Sequence, residues 1–199
     1  MDRGFGLGYR RDIDGLRGIA ILCVLAFHFF PHVLPGGFVG VDVFFVISGF
    51  LITGIVLGSL SSKSSFDFRQ FYARRIRRLF PALIVVLLFC FAAGYYVLIP
   101  VEFEQLAKFV AASALFVPNL ALLHDVGYFD TSRYGKPLLH LWSLGIEEQF
   151  YLVWPALIVL AARYLKATYA VVGAIFLISL GLGIAVSAID SAAAFYLPL

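Results

Sequence analysis

Residues 37–58 read GFVGVDVFFVISGFLITGIVLG. The stretch is 22 residues long and holds a single ionisable side chain, Asp42. About 20 mainly apolar residues are enough for a helix to cross the hydrocarbon core of a bilayer. This stretch therefore predicts a membrane-spanning helix.

The composition of the whole chain agrees with a membrane setting. Hydrophobic residues make up 62% of the sequence, charged residues 14%, and the mean hydropathy is +0.95. Soluble domains are about 45–50% apolar and about 25% charged. The net charge of +3 is small and the basic residues cluster between apolar runs, as in membrane proteins rather than at a nucleic-acid surface. We expect a lipid bilayer around the chain and no nucleic-acid partner.

Six stretches are close to the length of a membrane span, which predicts an all-α, polytopic transmembrane helix bundle. They are residues 16–34, 37–58, 82–99, 106–123, 141–162 and 168–189. Residues 65–80 mix aromatic residues with arginines, a pattern that predicts a separate amphipathic helix at the interface before Pro81 opens the third span. By the positive-inside rule, the basic residues around the first two spans place the N-terminus in the cytoplasm. The pattern leaves open the sidedness of residues 124–139.

The cysteines give no sign of a metal site or a redox centre. Cys23 and Cys90 both lie in apolar stretches, without metal-type spacing and without a charged neighbour that would favour a thiolate. We interpret both as packing residues. We expect no metal and no permanently bound cofactor.

His28 and Asp42 are ionisable residues inside predicted spans, where polar groups are costly and need a reason. Arg17 lies eleven positions before His28, which returns to within about 20° of the same helix face. A tight turn between the first two spans would bring Asp42 to a depth similar to that of His28, where it could orient or charge-balance the imidazole. The alternative is that His28 and Asp42 only hold two helices together by a hydrogen bond.

The fifth predicted span carries a polar stripe. His140, Ser143 and Glu147 are spaced by three and four residues, which places them along one helix face that could line a polar cavity. Glu148 points about 100° away from Glu147. For Glu148 the favoured alternative is that it solvates the end of the helix near the membrane boundary.

Four arginines stand close together between the second and third spans: Arg74, Arg75, Arg77 and Arg78. Guanidinium groups match phosphate oxygens, and residues three or four apart converge on one side of a helix. The cluster could therefore hold phosphates. The alternative, which pattern alone favours, is a topology anchor or a contact with anionic lipids.

Four blocks of the sequence belong together: residues 12–20 leading to His28, residues 40–52, residues 71–81 and residues 139–151. Taken together they resemble the acyltransferase 3 family of bacterial membrane acyltransferases, and in particular its O-acetyltransferase branch. Their order and spacing cover most of the chain. Four long blocks in series are far more specific than one short motif.

The resemblance implies a bundle of about ten helices, of which residues 1–199 would be the N-terminal part. It further implies transfer of an acyl group, usually acetyl, from acyl-CoA to a hydroxyl of an envelope carbohydrate such as lipopolysaccharide, peptidoglycan or exopolysaccharide. Acetyl-CoA would be a donor substrate, and an SGNH-type domain can be fused to such proteins. Carried over by position, Arg17, Arg75 and Arg78 would bind the donor's phosphates, His28 would be the essential histidine and Glu147 a supporting acid.

Two chemical routes stay open for His28. A neutral imidazole can accept the proton of the acceptor hydroxyl, or it can attack the thioester and carry the acyl group briefly. Asp42 remains a candidate partner for that imidazole. A proton-coupled membrane transporter is the alternative function, because intramembrane His, Asp and Glu also form proton relays. It explains neither the arginine cluster nor the four blocks.

Overall fold

The regular structure of the described residues is helical. A computed structural model describes residues 10–63, 65–125, 138–165 and 167–197. Its helices are α1 (Arg11–Phe29), α2 (Gly40–Lys63), α3 (Phe68–Val97), α4 (Pro100–Ala114), α5 (Pro118–Asp125), α6 (Leu141–Leu160), α7 (Thr168–Ile189) and α8 (Ser191–Tyr196). A 3-10 turn, Gly37–Val39, leads into α2, and a π-helical turn, Ala161–Leu165, follows α6. The ranges just given contain no strand, so the predicted all-α fold is confirmed.

Within those ranges, four helical segments are long and apolar enough to cross a membrane. They are Gly37–Ser62, Phe68–Val97, Leu141–Tyr164 and Thr168–Ile189. These segments contain, or overlap almost completely, the predicted spans at 37–58, 82–99, 141–162 and 168–189. The chain is accordingly a multi-pass membrane protein.

The predicted span at 106–123 is not one continuous helix, because two helices share these residues. α4 ends at Ala114 and α5 begins at Pro118. Between them Phe116 has a φ of 57°, the left-handed conformation that interrupts a helix. As far as the structure describes them, α4 has 15 residues and α5 has 8, whereas about 20 are needed to cross the hydrocarbon core.

The predicted interfacial helix at 65–80 is also not a separate element. α3 runs without interruption from Phe68 to Val97, with Pro81 in its interior. The carboxylate of Asp67 caps its start by accepting a hydrogen bond of 3.0 Å from the backbone N–H of Gln70. Thirty residues span about 45 Å at 1.5 Å per residue. α3 therefore contains both the basic segment and the third span in one continuous helix. Pro81 misled the prediction because a proline that often opens a helix is tolerated inside membrane helices.

The first span differs from its predicted bounds of 16–34. α1 begins at Arg11, five residues earlier, and ends at Phe29, five residues earlier. Its first turns carry Asp12, Asp14 and Arg17, and the helix is not among the four segments that are apolar enough to span. Four of the six predicted spans are therefore present as long, apolar helices in the described part of the chain. The predicted connection at 124–139 lies mostly outside the described residues.

The described residues form two compact units. One unit is made of the chain up to Phe66 together with Tyr151–Thr168, and the other of Asp67–Phe150 together with Tyr169–Leu199. The first unit therefore holds α1, α2 and the second half of α6. The second unit holds α3, α4, α5, the first half of α6, most of α7, and α8.

In the first unit, α1 packs against the 3-10 turn and the start of α2. A Cβ atom on Gly37 would clash with the carbonyl oxygen of Cys23 and would lie 2.9 Å from the Cβ of Phe27. A Cβ atom on Gly40 would clash with the carbonyl oxygen of Ala20. Glycine at both positions lets the two backbones meet directly.

Two interhelical hydrogen bonds join α2 to α6 inside the first unit. The hydroxyl of Tyr151 donates to Ser48 Oγ over 2.6 Å, and Trp154 Nε1 donates to Thr53 Oγ1 over 2.8 Å. Tyr151 and Ser48 are both buried. Such bonds between membrane helices contribute about 0.6–2 kcal/mol each, so they help to fix the register of α2 against α6.

In the second unit, a buried amide joins three elements. Asn119 at the start of α5 is fully buried, and its Nδ2 donates to the carbonyl oxygen of Tyr196 over 3.1 Å. Its Oδ1 accepts from Gln149 Nε2 over 2.9 Å, and the same nitrogen donates to the carbonyl oxygen of Phe116 over 2.8 Å. The amides of Asn119 and Gln149 thus tie α5 to α6, to α8 and to the break between α4 and α5.

Candidate functional site

His28 lies in the last turn of α1, with its side chain exposed. Its Nδ1 is 2.8 Å from the carbonyl oxygen of Val24, one helical turn earlier. A carbonyl oxygen only accepts hydrogen bonds, so Nδ1 must carry the proton and donate it. In the neutral imidazole the other nitrogen, Nε2, then holds a lone pair. The ring is also held edge-on against Phe27, with centroids 5.5 Å apart.

Asp42 forms no ion pair with His28 in the structure. The two residues lie on packed helices, as the predicted tight connection requires, but no ion pair within 4.0 Å joins them. Asp42 is exposed in the first turn of α2. A carboxylate there is favoured by the partial positive charge of a helix N-terminus. A role for Asp42 in orienting the imidazole stays a prediction, since Val24 supplies the observed partner.

Arg17 lies on the same uninterrupted helix as His28. Its guanidinium carbon is 6.0 Å from the centroid of the Phe44 ring on α2, close enough for a cation–π interaction. The side chain is half-buried. Arg17, His28 and Asp42 therefore belong to one group of residues, all within the first compact unit.

Arg75 on α3 meets the two adjacent glutamates of α6. Its Nε donates to Glu148 Oε1 over 2.9 Å and to Oε2 over 3.2 Å, and its Nη2 is 3.8 Å from Glu147 Oε1. The Glu148 side chain is only 14% exposed, against 24% for Glu147. The interpretation of Glu148 as a residue that only solvates the helix end is therefore wrong. Arg75 and the two glutamates carry opposite charges on segments far apart in sequence. Those charges were the signal from which the pairing could have been predicted.

The other arginines of the cluster differ from Arg75 in their surroundings. Arg77 and Arg78 are exposed, whereas Arg74 is half-buried. Arg78 lies three residues after Arg75 on α3, which places the two side chains within about 60° of one another. Arg75, Arg78 and Glu147 form the second group of predicted site residues, all within the second compact unit.

The predicted polar stripe on the fifth span is only partly realised. His140 lies in the turn before α6 and is exposed, and the hydroxyl of Ser143 donates to the His140 carbonyl oxygen over 3.2 Å. The Ser143 hydroxyl therefore forms a hydrogen bond with the backbone at the start of α6. The described residues hold no group of three or more His, Cys, Asp or Glu side chains that could bind a metal ion.

Comparisons with known proteins place this arrangement in a family. The chain is 40% identical over 161 residues to Peptidoglycan O-acetyltransferase OatA of Listeria monocytogenes, covering 79% of this chain and 25% of that protein. It is also 40% identical over 161 residues to the "Putative peptidoglycan O-acetyltransferase YrhL" of Bacillus subtilis, covering 80% of this chain and 25% of that protein.

The chain thus spans about a quarter of the length of these curated relatives. No solved structure matches it significantly. The model of the family described as "Acyltransferase domain", acyltransferase 3, matches residues 10–198. This match takes in both groups of predicted site residues, and it shows that the chain belongs to the acyltransferase 3 family.

Proposed function

We propose that this chain contributes to a membrane O-acyltransferase that moves an acyl group, acetyl in the first instance, from acyl-CoA to a hydroxyl of an envelope carbohydrate. Peptidoglycan is the favoured acceptor, because two similar proteins carry that substrate in their names. The proposed location is the bacterial cytoplasmic membrane with the N-terminus inside, where acyl-CoA is available. This orientation requires α1 to cross the membrane together with α2, so that the arginines before α1 and those after α2 lie on the cytoplasmic side.

The observation that carries the proposal is the hydrogen bond between His28 Nδ1 and the carbonyl oxygen of Val24. It selects the tautomer in which Nε2 has the lone pair, and the ring that bears it is exposed. A backbone carbonyl cannot move away as a side chain can, so the imidazole is oriented before any substrate arrives. Base and nucleophile chemistry both need that arrangement.

The proposed transfer needs no reactant other than acyl-CoA and the acceptor hydroxyl. When Nε2 accepts the proton of the acceptor hydroxyl, the oxygen attacks the thioester carbonyl, a C–O bond forms and the C–S bond breaks. The leaving thiolate of CoA then takes the proton from the imidazolium. In the alternative route, Nε2 itself attacks the thioester and CoA leaves as its thiolate. The hydroxyl oxygen then attacks the acyl group on Nε2, the N–acyl bond breaks, and the hydroxyl proton goes to the thiolate. Glu147 is the proposed supporting acid.

Arginines are the proposed binding groups for the donor. CoA carries several phosphate charges, and guanidinium groups bind phosphate oxygens through paired hydrogen bonds. Arg17, Arg75 and Arg78 are the candidates, one from α1 and two from α3. No residue of this set is proposed to touch the acyl carbon.

The proposed function is tested by transfer of label. The protein, purified in detergent, is incubated with acetyl-CoA labelled in its acetyl group and with peptidoglycan fragments, and the products are separated from free acetate. We expect label on the glycan in an ester that mild alkali releases. Label that stays on CoA, or that appears only as acetate whichever glycan is added, contradicts the proposal.

A further inference from the structure

We propose that Glu148 is the positioning residue for the Arg75 guanidinium, which it orients for the phosphates of the acyl donor. The inference rests on the proposed function, because it takes Arg75 as one of the donor-binding arginines. It assigns a role to a glutamate that sequence pattern treats as a helix-end residue. Glu148 itself is not proposed to touch the donor.

The geometry separates Glu148 from its neighbour. Both oxygens of Glu148 lie within hydrogen-bond distance of Arg75 Nε, at 2.9 Å and 3.2 Å. Glu147 approaches the same guanidinium only to 3.8 Å, at Nη2, which is too far for a hydrogen bond. Glu148 therefore holds the Nε edge of Arg75, whereas Glu147 contributes charge at longer range.

The ion pair between Glu148 and Arg75 is partly buried. The Glu148 side chain is 14% exposed and that of Arg75 is 27% exposed. A partly buried carboxylate that loses its partner leaves a costly unpaired charge, so the pair is expected to persist. Since the single Nε hydrogen is directed at Glu148, a phosphate would have to be bound through the Nη groups.

Holding one edge of the guanidinium has a physical benefit for binding. An arginine side chain has many rotamers, and a ligand must otherwise restrict that freedom when it binds. Among these side chains the charge remains positive, because the four arginines of residues 74–78 outnumber Glu147 and Glu148 by two. Glu148 would thus orient one cation without cancelling the cluster.

The test compares CoA binding and turnover in matched variants of the detergent-purified protein. In Glu148→Gln we expect the dissociation constant for CoA, measured by calorimetry, and the KM for acetyl-CoA to rise about tenfold, equivalent to about 1.4 kcal/mol, with kcat changed far less. Glu148→Asp, which keeps the charge on a shorter side chain, should recover part of the affinity. The control is Glu104→Gln on α4, which removes an exposed glutamate paired with Lys108 and should leave CoA binding unchanged.

An exchange variant separates positioning from folding. Arg75→Glu combined with Glu148→Arg restores the ion pair but moves the guanidinium to α6. If this variant regains the unfolding temperature of the parent while its CoA affinity stays low, the inference is supported. If its CoA affinity also returns, or if Glu148→Gln binds CoA as the parent does, the inference is overturned.

The two proposals fail in different ways. A protein that binds CoA but transfers no label contradicts the proposed function and still allows Glu148 to be assessed by binding. A protein that transfers label and binds CoA equally well with and without the Glu148 carboxylate contradicts only the positioning role. A protein that does not bind CoA at all contradicts both.

Discussion

The imidazole of His28 is tied to the backbone of its own helix, through the 2.8 Å contact from Nδ1 to the carbonyl oxygen of Val24. This contact replaces the carboxylate partner that sequence spacing suggested, since Asp42 forms no ion pair with the ring within 4.0 Å. A carbonyl oxygen has two lone pairs and can accept a second hydrogen bond. The Val24 carbonyl lies one helical turn before His28 in α1, so it can accept from the imidazole as well as from the helix backbone.

Replacement of His28 should abolish acyl transfer without unfolding the protein. His28→Ala removes the proposed base or nucleophile, and we expect kcat to fall by about 10²–10⁴. His32→Ala is the matched control, because His32 is also exposed and lies four residues later in the turn after α1. Both variants are compared by the label-transfer assay and by thermal unfolding. Equal kcat values for the two variants would remove His28 from the mechanism.

The first turn of α1 should show a pH dependence that Arg10 controls. The hydrogen bonds that Arg10 donates to Asp12, at 2.6–3.2 Å, hold the pKa of that carboxyl at about 2, below its ordinary value of 3.8. Because the pKa of Asp12 is lower in the folded state, its ionised carboxylate stabilises the folded protein at pH values above the ordinary pKa. This contribution is lost as the pH falls through about 2. In Arg10→Gln the midpoint of Asp12, followed by its carboxyl carbon NMR shift, should rise toward 3.8.

Salt provides the control for this prediction, because both side chains are exposed. High ionic strength screens such a pair, so the Asp12 midpoint of the parent should rise in concentrated salt while that of Arg10→Gln moves less. A midpoint that stays near 2 in Arg10→Gln would show that another group lowers the pKa.

The sequence was sufficient for the fold class because membrane helices depend on length and hydrophobicity alone. It failed where a local conformation decided the outcome. Phe116 adopts a left-handed conformation and splits a predicted span, while Pro81 stays inside a helix it was expected to open. Neither outcome can be derived from apolar content, because each depends on how neighbouring helices satisfy the backbone.

The candidate site, like the fold, could be predicted from the sequence only in part. Helix periodicity placed Arg17 and His28 on one helix correctly, since that relation is local. Pairings across helices were harder, because a small change in register moves a side chain to another face. The prediction therefore chose Asp42 as the partner of His28, and it overlooked Glu148 as the partner of Arg75.

The buried Asn119 amide should be essential for stability. Asn119→Ala removes the hydrogen bond to the carbonyl oxygen of Tyr196 and one of the two acceptors of Gln149 Nε2, so we expect a loss of about 1–3 kcal/mol. Ser113→Ala is the contrasting variant, because the buried Ser113 hydroxyl has no hydrogen-bond partner among the described residues. Its removal should leave the unfolding temperature unchanged or slightly higher. If both variants lose stability equally, the amide network does not carry the effect.

The contact of α2 with α1 should depend on one of two adjacent glycines. In Gly37→Ala the new methyl group would clash with the Cys23 carbonyl oxygen, and backbone atoms cannot turn aside as a flexible side chain can. We expect a loss of about 1–3 kcal/mol, the usual cost of overpacking. Gly36→Ala is an internal control, because a Cβ atom there meets nothing within 4 Å and its φ of −85° suits alanine.

Thermal unfolding in detergent would measure both glycine variants, and label transfer would show whether the effect reaches His28. Gly37 contacts Cys23 and Phe27 on α1, and the Phe27 ring packs edge-on against the His28 imidazole. A methyl group at Gly37 should therefore displace the last turn of α1 and lower kcat as well as stability. If Gly37→Ala unfolds earlier but keeps the kcat of Gly36→Ala, the tie between His28 and Val24 alone orients the imidazole, independently of how α2 packs.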